Sequence, residues 1–285
     1  MTRRLLLVHA HPDDESITTG ATIARYTAEH TDVTVVTCTL GEEGEIVPPR
    51  LAGLASGAAD QLGGYRAGEL ERACSALGVT RHRYLGGIGR WRDSGMAGTP
   101  SAAHERAFSG VHRAAQTAQL AEILDEVRPA VVVTYDAFGG YGHPDHIRAH
   151  EITMAAALQA DSVVRVFHTV SSTSAVRDGL AALRAGGSSP FRVPDDGELP
   201  STSDEEITTV LDVAGHLPAK IAALRAHETQ LTVVDGAIPH FALTNGIAQP
   251  IPAHDYFVLA HGPAEGADSD LFGGLNQHSG AERLR

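Results

Sequence analysis

Two short stretches hold residue types that are costly to bury and useful for chemistry. "AHPDDES" spans residues 10–16 and "YGHPDHI" spans 141–147. Each contains His-Pro-Asp, and each follows an apolar run that reads as a strand, "RLLLVH" at 4–9 and "AVVVTYD" at 130–136. One such turn is ordinary, its aspartate capping the next helix. Two of them, each ending a strand and opening a helix, point to one shared site. In open α/β sheets ligands sit outside the carboxyl ends of the strands, where strand order reverses. With the common order 3-2-1-4-5, the first and fourth strands are neighbours at that reversal, and the two turns face each other across a crevice.

These donors suit a cation better than a phosphate. A catalytic zinc site takes three nitrogen or oxygen ligands and keeps one position open. His11 and Asp14 can supply two ligands from the first turn and His146 the third from the second. Asp13 should point differently and serve as the base toward the attacking water, whose pKa zinc lowers to about 7. His143 should face the same cleft, with Asp145 holding its ring and favouring the imidazolium. A protonated His143 and the hydroxyl of Tyr141 would stabilise an oxyanion or protonate a leaving amine. Such ligands also accept iron(II) or cobalt(II).

Other polar residues near the turns have plainer readings. His9 reads as buried or supporting, Glu15 as a helix cap, and His150 as a surface helix residue. His82, His104 and His168 read as structural. "GEEGE" at 41–45 is the kind of charge run that is usually solvated, but it follows the second strand, which makes Glu45 a candidate for lining the cleft.

The surrounding elements form a β-α-β series. After the first strand come a helix over 16–29, a β-branched strand over 33–40 and a long irregular stretch over 41–64. A helix over 65–77, a strand over 82–85, a loop over 86–100 and a helix over 112–127 follow. Pro144 fits the first turn of the next helix, and a fifth strand is expected over 163–172. The fold class is therefore α/β: a Rossmann-like, mostly parallel sheet with helices on both faces and a smaller C-terminal α/β extension. Residues 1–172 form the catalytic core and 173–262 an extension that completes the substrate cleft. Residues 263–285 are expected to fray.

Bulk properties narrow the classes. The chain has 285 residues and a formal charge of −13, so its field repels nucleic acid. The first apolar run is far too short to span a bilayer. Cys38 and Cys74 read as reduced core thiols and the compartment as cytoplasmic. A dinucleotide site would need G-x-G-x-x-G after the first strand, where "HAHPDD" stands. A two-metal phosphoesterase would need more carboxylate ligands than these turns supply.

At "HPDDE" and "GHPDH" the chain resembles the LmbE/PIG-L family of zinc-dependent N-acetylglucosaminide de-N-acetylases. The likeness is close over about residues 4–155 and looser beyond, and it includes "VVTCTLGEEGE", "DQLGGYRAGEL" and "GRWRDSGMAGT". "YRAGE" and "RWRDSGMAG" are similar to members that remove acetate from N-acetylglucosaminyl-inositol in mycothiol biosynthesis. The resemblance implies one Zn2+ on His11, Asp14 and His146, with Asp13 as base. It also implies that His143, held by Asp145, helps with the oxyanion or leaving amine, and that Tyr141 polarises the amide carbonyl. Arg66 and Asp93 would contact sugar or inositol hydroxyls, with Met96 close by. The substrate would be a small pseudodisaccharide, with no membrane and no obligatory protein partner. Related mycothiol S-conjugate amidases carry a lysine shortly after "HPDDES"; Ile17, Thr18 and Thr19 stand there, which favours the deacetylase. A sugar-binding protein that keeps the metal without chemistry is the reading from another class. Segment 186–205 departs from the family pattern.

Overall fold

The computed structural model describes residues 3–186 and 189–275. Its centre is a seven-stranded sheet. In chain order the main strands are β1 (Arg4–His9), β2 (Asp32–Thr37), β3 (Arg81–Tyr84), β4 (Val131–Tyr135), β5 (Arg165–Val170), β6 (Thr209–Asp212) and β10 (His254–His261). Their spatial order is β3-β2-β1-β4-β5-β10-β6. The first five are parallel, and β10 runs antiparallel between β5 and β6. The order reverses between β1 and β4, as expected for a doubly wound sheet.

Alternation along the strands builds two cores. Leu5, Leu7, Val33, Val35, Val131 and Val133 pack on one face. Leu6, Val8, Val36, Val132 and Val166 pack on the other. Successive side chains on a strand point to opposite faces, so both faces of a strand such as "LLLV" are apolar because helices cover both. On the first face lie α1 (Asp14–Ala28), α2 (Leu62–Ala76) and α7 (Leu217–Ala226). On the second lie α3 (Arg113–Val127) and α5 (Pro144–Ala157), with Leu120, Leu124, Ile152 and Ala156 turned inward. Between β4 and α5 sits a single glycine-rich turn, α4 (Gly139–Gly142).

Three features mark the C-terminal third. First, β6 and β10 extend the main sheet beyond β5. Second, residues 173–186 form a helix, α6 (Thr173–Gly186), whose Val176, Leu180 and Leu183 face β9 (Ala248–Pro250). Strands β7 (Leu231–Val234), β8 (His240–Leu243) and β9 make a small antiparallel sheet. Third, residues 263–275, expected to fray, pack on the core through Ala267, Leu271 and Phe272. The buried Arg165 guanidinium donates to the carbonyls of Pro263, Glu265 and Leu271 and ties this segment down. The expected frayed stretch 276–285 lies outside the described residues. Cys38 and Cys74 are buried free thiols. Among the described residues no helix is long and apolar enough to cross a membrane.

Candidate active site

Four of the five parallel strands lead to polar residues beyond their carboxyl ends. β1 leads to His11, Asp13 and Asp14; β2 to Glu42; β3 to Asp93; β4 to His143 and His146. The two His-Pro-Asp turns meet at the β1/β4 switch point. His11 Nδ1 lies 3.3 Å from His146 Nε2 and 3.4 Å from Asp14 Oδ2. His146 Nε2 lies 3.4 Å from Asp14 Oδ1. All three side chains are at least nine-tenths buried.

Four fixed hydrogen bonds select which atoms of these residues face one another. His146 Nδ1 pairs with the Gly139 carbonyl at 3.1 Å, so it carries the proton and leaves Nε2 with its lone pair. His11 Nε2 faces Asp145 Oδ2 at 3.2 Å and leaves Nδ1 inward. Asp14 Oδ2 accepts from the His11 backbone N–H at 2.8 Å and from the Tyr135 hydroxyl at 2.7 Å, which leaves Oδ1 free. Tyr135 also stacks on the His146 ring at 4.2 Å. Gly139 must be glycine: its φ is +69°, and a Cβ there would sit 2.7 Å from His146 Cβ.

This donor set fits a divalent cation. Zinc–nitrogen and zinc–oxygen bonds of about 2.0–2.1 Å in a tetrahedron place neighbouring donors about 3.3–3.4 Å apart. The His11–His146 spacing and that from His146 to Asp14 Oδ1 match that edge, and outer hydrogen bonds orient each ligand as metal sites require. His143 also brings a ring nitrogen within 4.8 Å of those of His11 and His146, and Asp93 and Asp145 approach His11 from its other side.

Asp13 sits beside this cluster with an unusual backbone. Its φ is +123° and ψ −31°, and its side chain makes no cap hydrogen bond to α1. The carboxylate therefore stays free of the helix end and pairs with Arg66 Nη2 at 3.2 Å. Burial pushes Asp13 up to about 6, against the pull of the Arg66 guanidinium. Arg66 is only 2% exposed and also donates to the carbonyls of Gly41 and Pro12. Gly41 (φ +64°) makes room, since a Cβ there would overlap the guanidinium.

One expected role needs correction. The Asp145 carboxylate holds His11, not His143. It is the Asp145 backbone N–H that reaches His143, donating to Nδ1 at 3.1 Å as His143 caps α5. With Nδ1 accepting, the proton of a neutral ring rests on Nε2. Burial, with His11 and His146 nearby, pushes His143 down to about 3. His143 is therefore a neutral N–H donor and not the imidazolium expected from sequence.

The other candidates are placed as follows. Tyr141, 51% exposed, stands edge-on to His146 with ring centres 5.0 Å apart, over the mouth of the site. Asp93 is 4% exposed; it lies 3.5 Å from His11 Nε2 and accepts the Gly95 and Glu43 N–H groups. Met96 is 48% exposed on the same loop. Glu45 is exposed and pairs with Thr244. In its place Glu42, which is buried, accepts the Asp93 N–H at 3.0 Å. Glu15 caps the chain end before α1 by accepting the Asp13 N–H at 3.0 Å. His9 is buried on Thr19, and burial pushes it down to about 4. His150, expected at the surface, is half-buried with Nδ1 2.9 Å from the Tyr135 carbonyl. Sequence reasoning missed Tyr135, although a tyrosine ending a buried apolar strand signals a hydroxyl in need of a partner.

Burial of these histidines implies acid lability. Burial lowers His9, His82 and His168 to about 4 and His143 to about 3, all from 6.5. Between pH 6.5 and 4.5 the unfolded chain gains these protons and the folded chain does not, so stability falls as pH falls. Asp13, raised to about 6, binds its proton earlier when folded and offsets roughly one histidine. His11 and His227 are raised, and their contributions are already complete below pH 6.5. The expected net loss for the chelator-treated protein is on the order of several kcal/mol. Urea midpoints at pH 7 and 4.5 measure it, and equal midpoints would contradict it.

Comparison with known proteins identifies a family. A family profile described as "GlcNAc-PI de-N-acetylase" matches residues 6–157. The chain is 62% identical over 274 residues to a protein of Actinosynnema mirum named 1D-myo-inositol 2-acetamido-2-deoxy-alpha-D-glucopyranoside deacetylase, over 95% of this chain and 97% of that one. A protein of the same name from Saccharomonospora viridis is 62% identical over 271 residues, covering 95% and 100%. Among solved structures, N,N'-diacetylchitobiose deacetylase from Pyrococcus horikoshii has a TM-score of 0.50 at 22% identity, over 79% of this chain and 69% of that one, a likeness of fold. By its full-length relatives and by a profile covering both His-Pro-Asp turns, the chain belongs to the PIG-L family of de-N-acetylases.

Proposed function

We propose that the chain hydrolyses the acetamide of 1D-myo-inositol 2-acetamido-2-deoxy-alpha-D-glucopyranoside, releasing acetate and glucosaminyl-inositol in mycothiol biosynthesis. The observation that carries the chemistry is the cluster of His11 Nδ1, His146 Nε2 and the Asp14 carboxylate, whose two oxygens lie 3.4 Å from one ring each, with the buried carboxylate of Asp13 beside it. Near-full-length identity to two deacetylases of that name supports the substrate. Those three side chains would hold one Zn2+, iron(II) and cobalt(II) being chemically acceptable substitutes. The cation supplies Lewis-acid chemistry: it polarises the amide carbonyl and brings the pKa of the attacking water to about 7.

The chain's own residues do the rest. Asp13 takes the proton of the attacking water, and Arg66 holds its carboxylate in place. His143 Nε2–H and the Tyr141 hydroxyl donate to the oxyanion of the tetrahedral intermediate. Because His143 is a neutral donor, the proton for the leaving amine comes from Asp13. The C–N bond then breaks, the amine leaves with that proton, and acetate remains. The substrate is a small sugar conjugate handled in the cytoplasm, with no protein partner in the chemistry. Arg66 and Asp93 spend most of their polar atoms on the protein, so they shape the cleft wall more than they grip hydroxyls, whereas Met96 and Tyr141 present exposed surface at its rim.

The test is a comparison of kcat/KM for N-acetylglucosaminyl-inositol and for a mycothiol S-conjugate. The deacetylase reading expects the first to exceed the second by at least about 100-fold. A preference for the S-conjugate would make the chain an amidase of that class. Turnover of neither would leave a sugar-binding metal protein.

A further inference from the structure

The Asp13 backbone occupies a region that side-chain-bearing residues rarely adopt, and such conformations persist only when their surroundings hold them. What holds this one comes from the far end of the chain. The Asp13 N–H donates to Glu15 Oε2 at 3.0 Å. Glu15 Oε1 accepts from Ser16 at 2.5 Å and lies 2.8 Å from His227 Nε2. Glu15 and His227 are both 0% exposed. Burial alone would lower His227, but the Glu15 carboxylate outweighs it and holds the ring above its usual value.

His227 is itself fixed in place. It follows α7, and the residues after it anchor two other segments. The Thr229 N–H and hydroxyl both donate to Glu69, at 2.8 and 2.6 Å. The Thr229 carbonyl accepts the Val47 N–H at 2.8 Å, and Glu228 accepts the Tyr65 hydroxyl at 2.7 Å. "HETQ" at 227–230 thus joins the catalytic turn, α2 and the loop after β2. Asp14, one residue from Asp13, is held by different groups, the His11 N–H and the Tyr135 hydroxyl.

We infer that His227 is a positioning residue which, through Glu15, holds the Asp13 turn in the geometry its base role needs. This rests on the function proposed above. Because Asp13 and Asp14 have separate supports, loosening the first should leave the second in place. The signature is a loss of turnover with the cation retained, which a general collapse of the turn would not give.

The test uses the full-length zinc-loaded protein and two variants. His227→Met keeps bulk and loses the donor; His227→Gln keeps an N–H donor. For His227→Met, kcat on N-acetylglucosaminyl-inositol is expected to fall by roughly 10- to 100-fold. KM and the zinc dissociation constant, read by competition with a chromophoric chelator, should stay within about threefold of wild type. His227→Gln should recover most of the turnover. Wild-type kcat in His227→Met, parallel loss of zinc, or a His227→Gln variant as slow as His227→Met would each overturn the inference. Should His227→Met fail to fold, Glu15→Gln is read for the same split, and wild-type turnover there overturns it. A crystal structure of the folded variant reads the turn without substrate. Asp13 is expected to leave its positive φ, and an unchanged turn overturns the inference even if the wild type proves to act on another amide.

Discussion

Replacing Asp13 by alanine is expected to lower kcat by about 10²–10⁴-fold while the protein keeps one zinc per chain. The argument is geometric. Asp13 is next to Asp14 in sequence, yet the positive φ at Asp13 turns the two carboxylates in different directions. Asp14 joins His11 and His146, whereas Asp13 joins Arg66. None of the three side chains proposed to hold the cation is Asp13, so its loss should remove the base and spare the site. Truncation also leaves Arg66 without its carboxylate partner, while Arg66 keeps its bonds to Gly41 and Pro12. Zinc content by atomic absorption and single-turnover acetate release together check the prediction. Wild-type turnover in Asp13→Ala would remove Asp13 from the mechanism.

Removing the cation should also stop turnover. Chelator-treated protein is expected to release acetate below about a thousandth of the wild-type rate, and one equivalent of Zn2+ should restore it. His146→Ala should resemble the chelated protein and resist restoration, because it removes a donor that the Gly139 carbonyl and the Tyr135 ring have fixed in place. The folded state should survive in both cases, since β1, β4 and their two apolar cores do not depend on the site. Circular dichroism of the chelated protein checks this. Full turnover after exhaustive chelation would contradict the account.

The sheet and its switch point were readable because the signals were strong and local. Apolar runs such as "LLLV" and "VVVTY" ended in histidine and aspartate, a change that only a site at the strand ends explains. The hydrogen bonds within the site were less readable. Whether the Asp145 carboxylate meets His143 or His11 depends on how the α4 turn rotates the start of α5, and glycines at positive φ leave that rotation open in the sequence. The bond between His227 and Glu15 joins residues 212 apart and has no spacing to betray it. Arg66 carried a substrate role by resemblance, but tertiary packing buried it against Asp13. Helix α6 was missed although Val176, Leu180 and Leu183 recur at helical spacing; the Pro/Gly/Ser-rich stretch after it obscured the pattern. The segment 263–275 looked polar, yet Phe272, edge-on to Tyr26, and the buried Leu271 hold it to the core.

Anomalous diffraction from crystals of the zinc-loaded protein tests the site most directly. A single strong zinc peak is expected within about 2.2 Å of His11 Nδ1, an Asp14 oxygen and His146 Nε2 together. A peak seated instead between His11 Nε2, Asp93 and Asp145, or no ordered zinc at all in protein that still releases acetate, would contradict it.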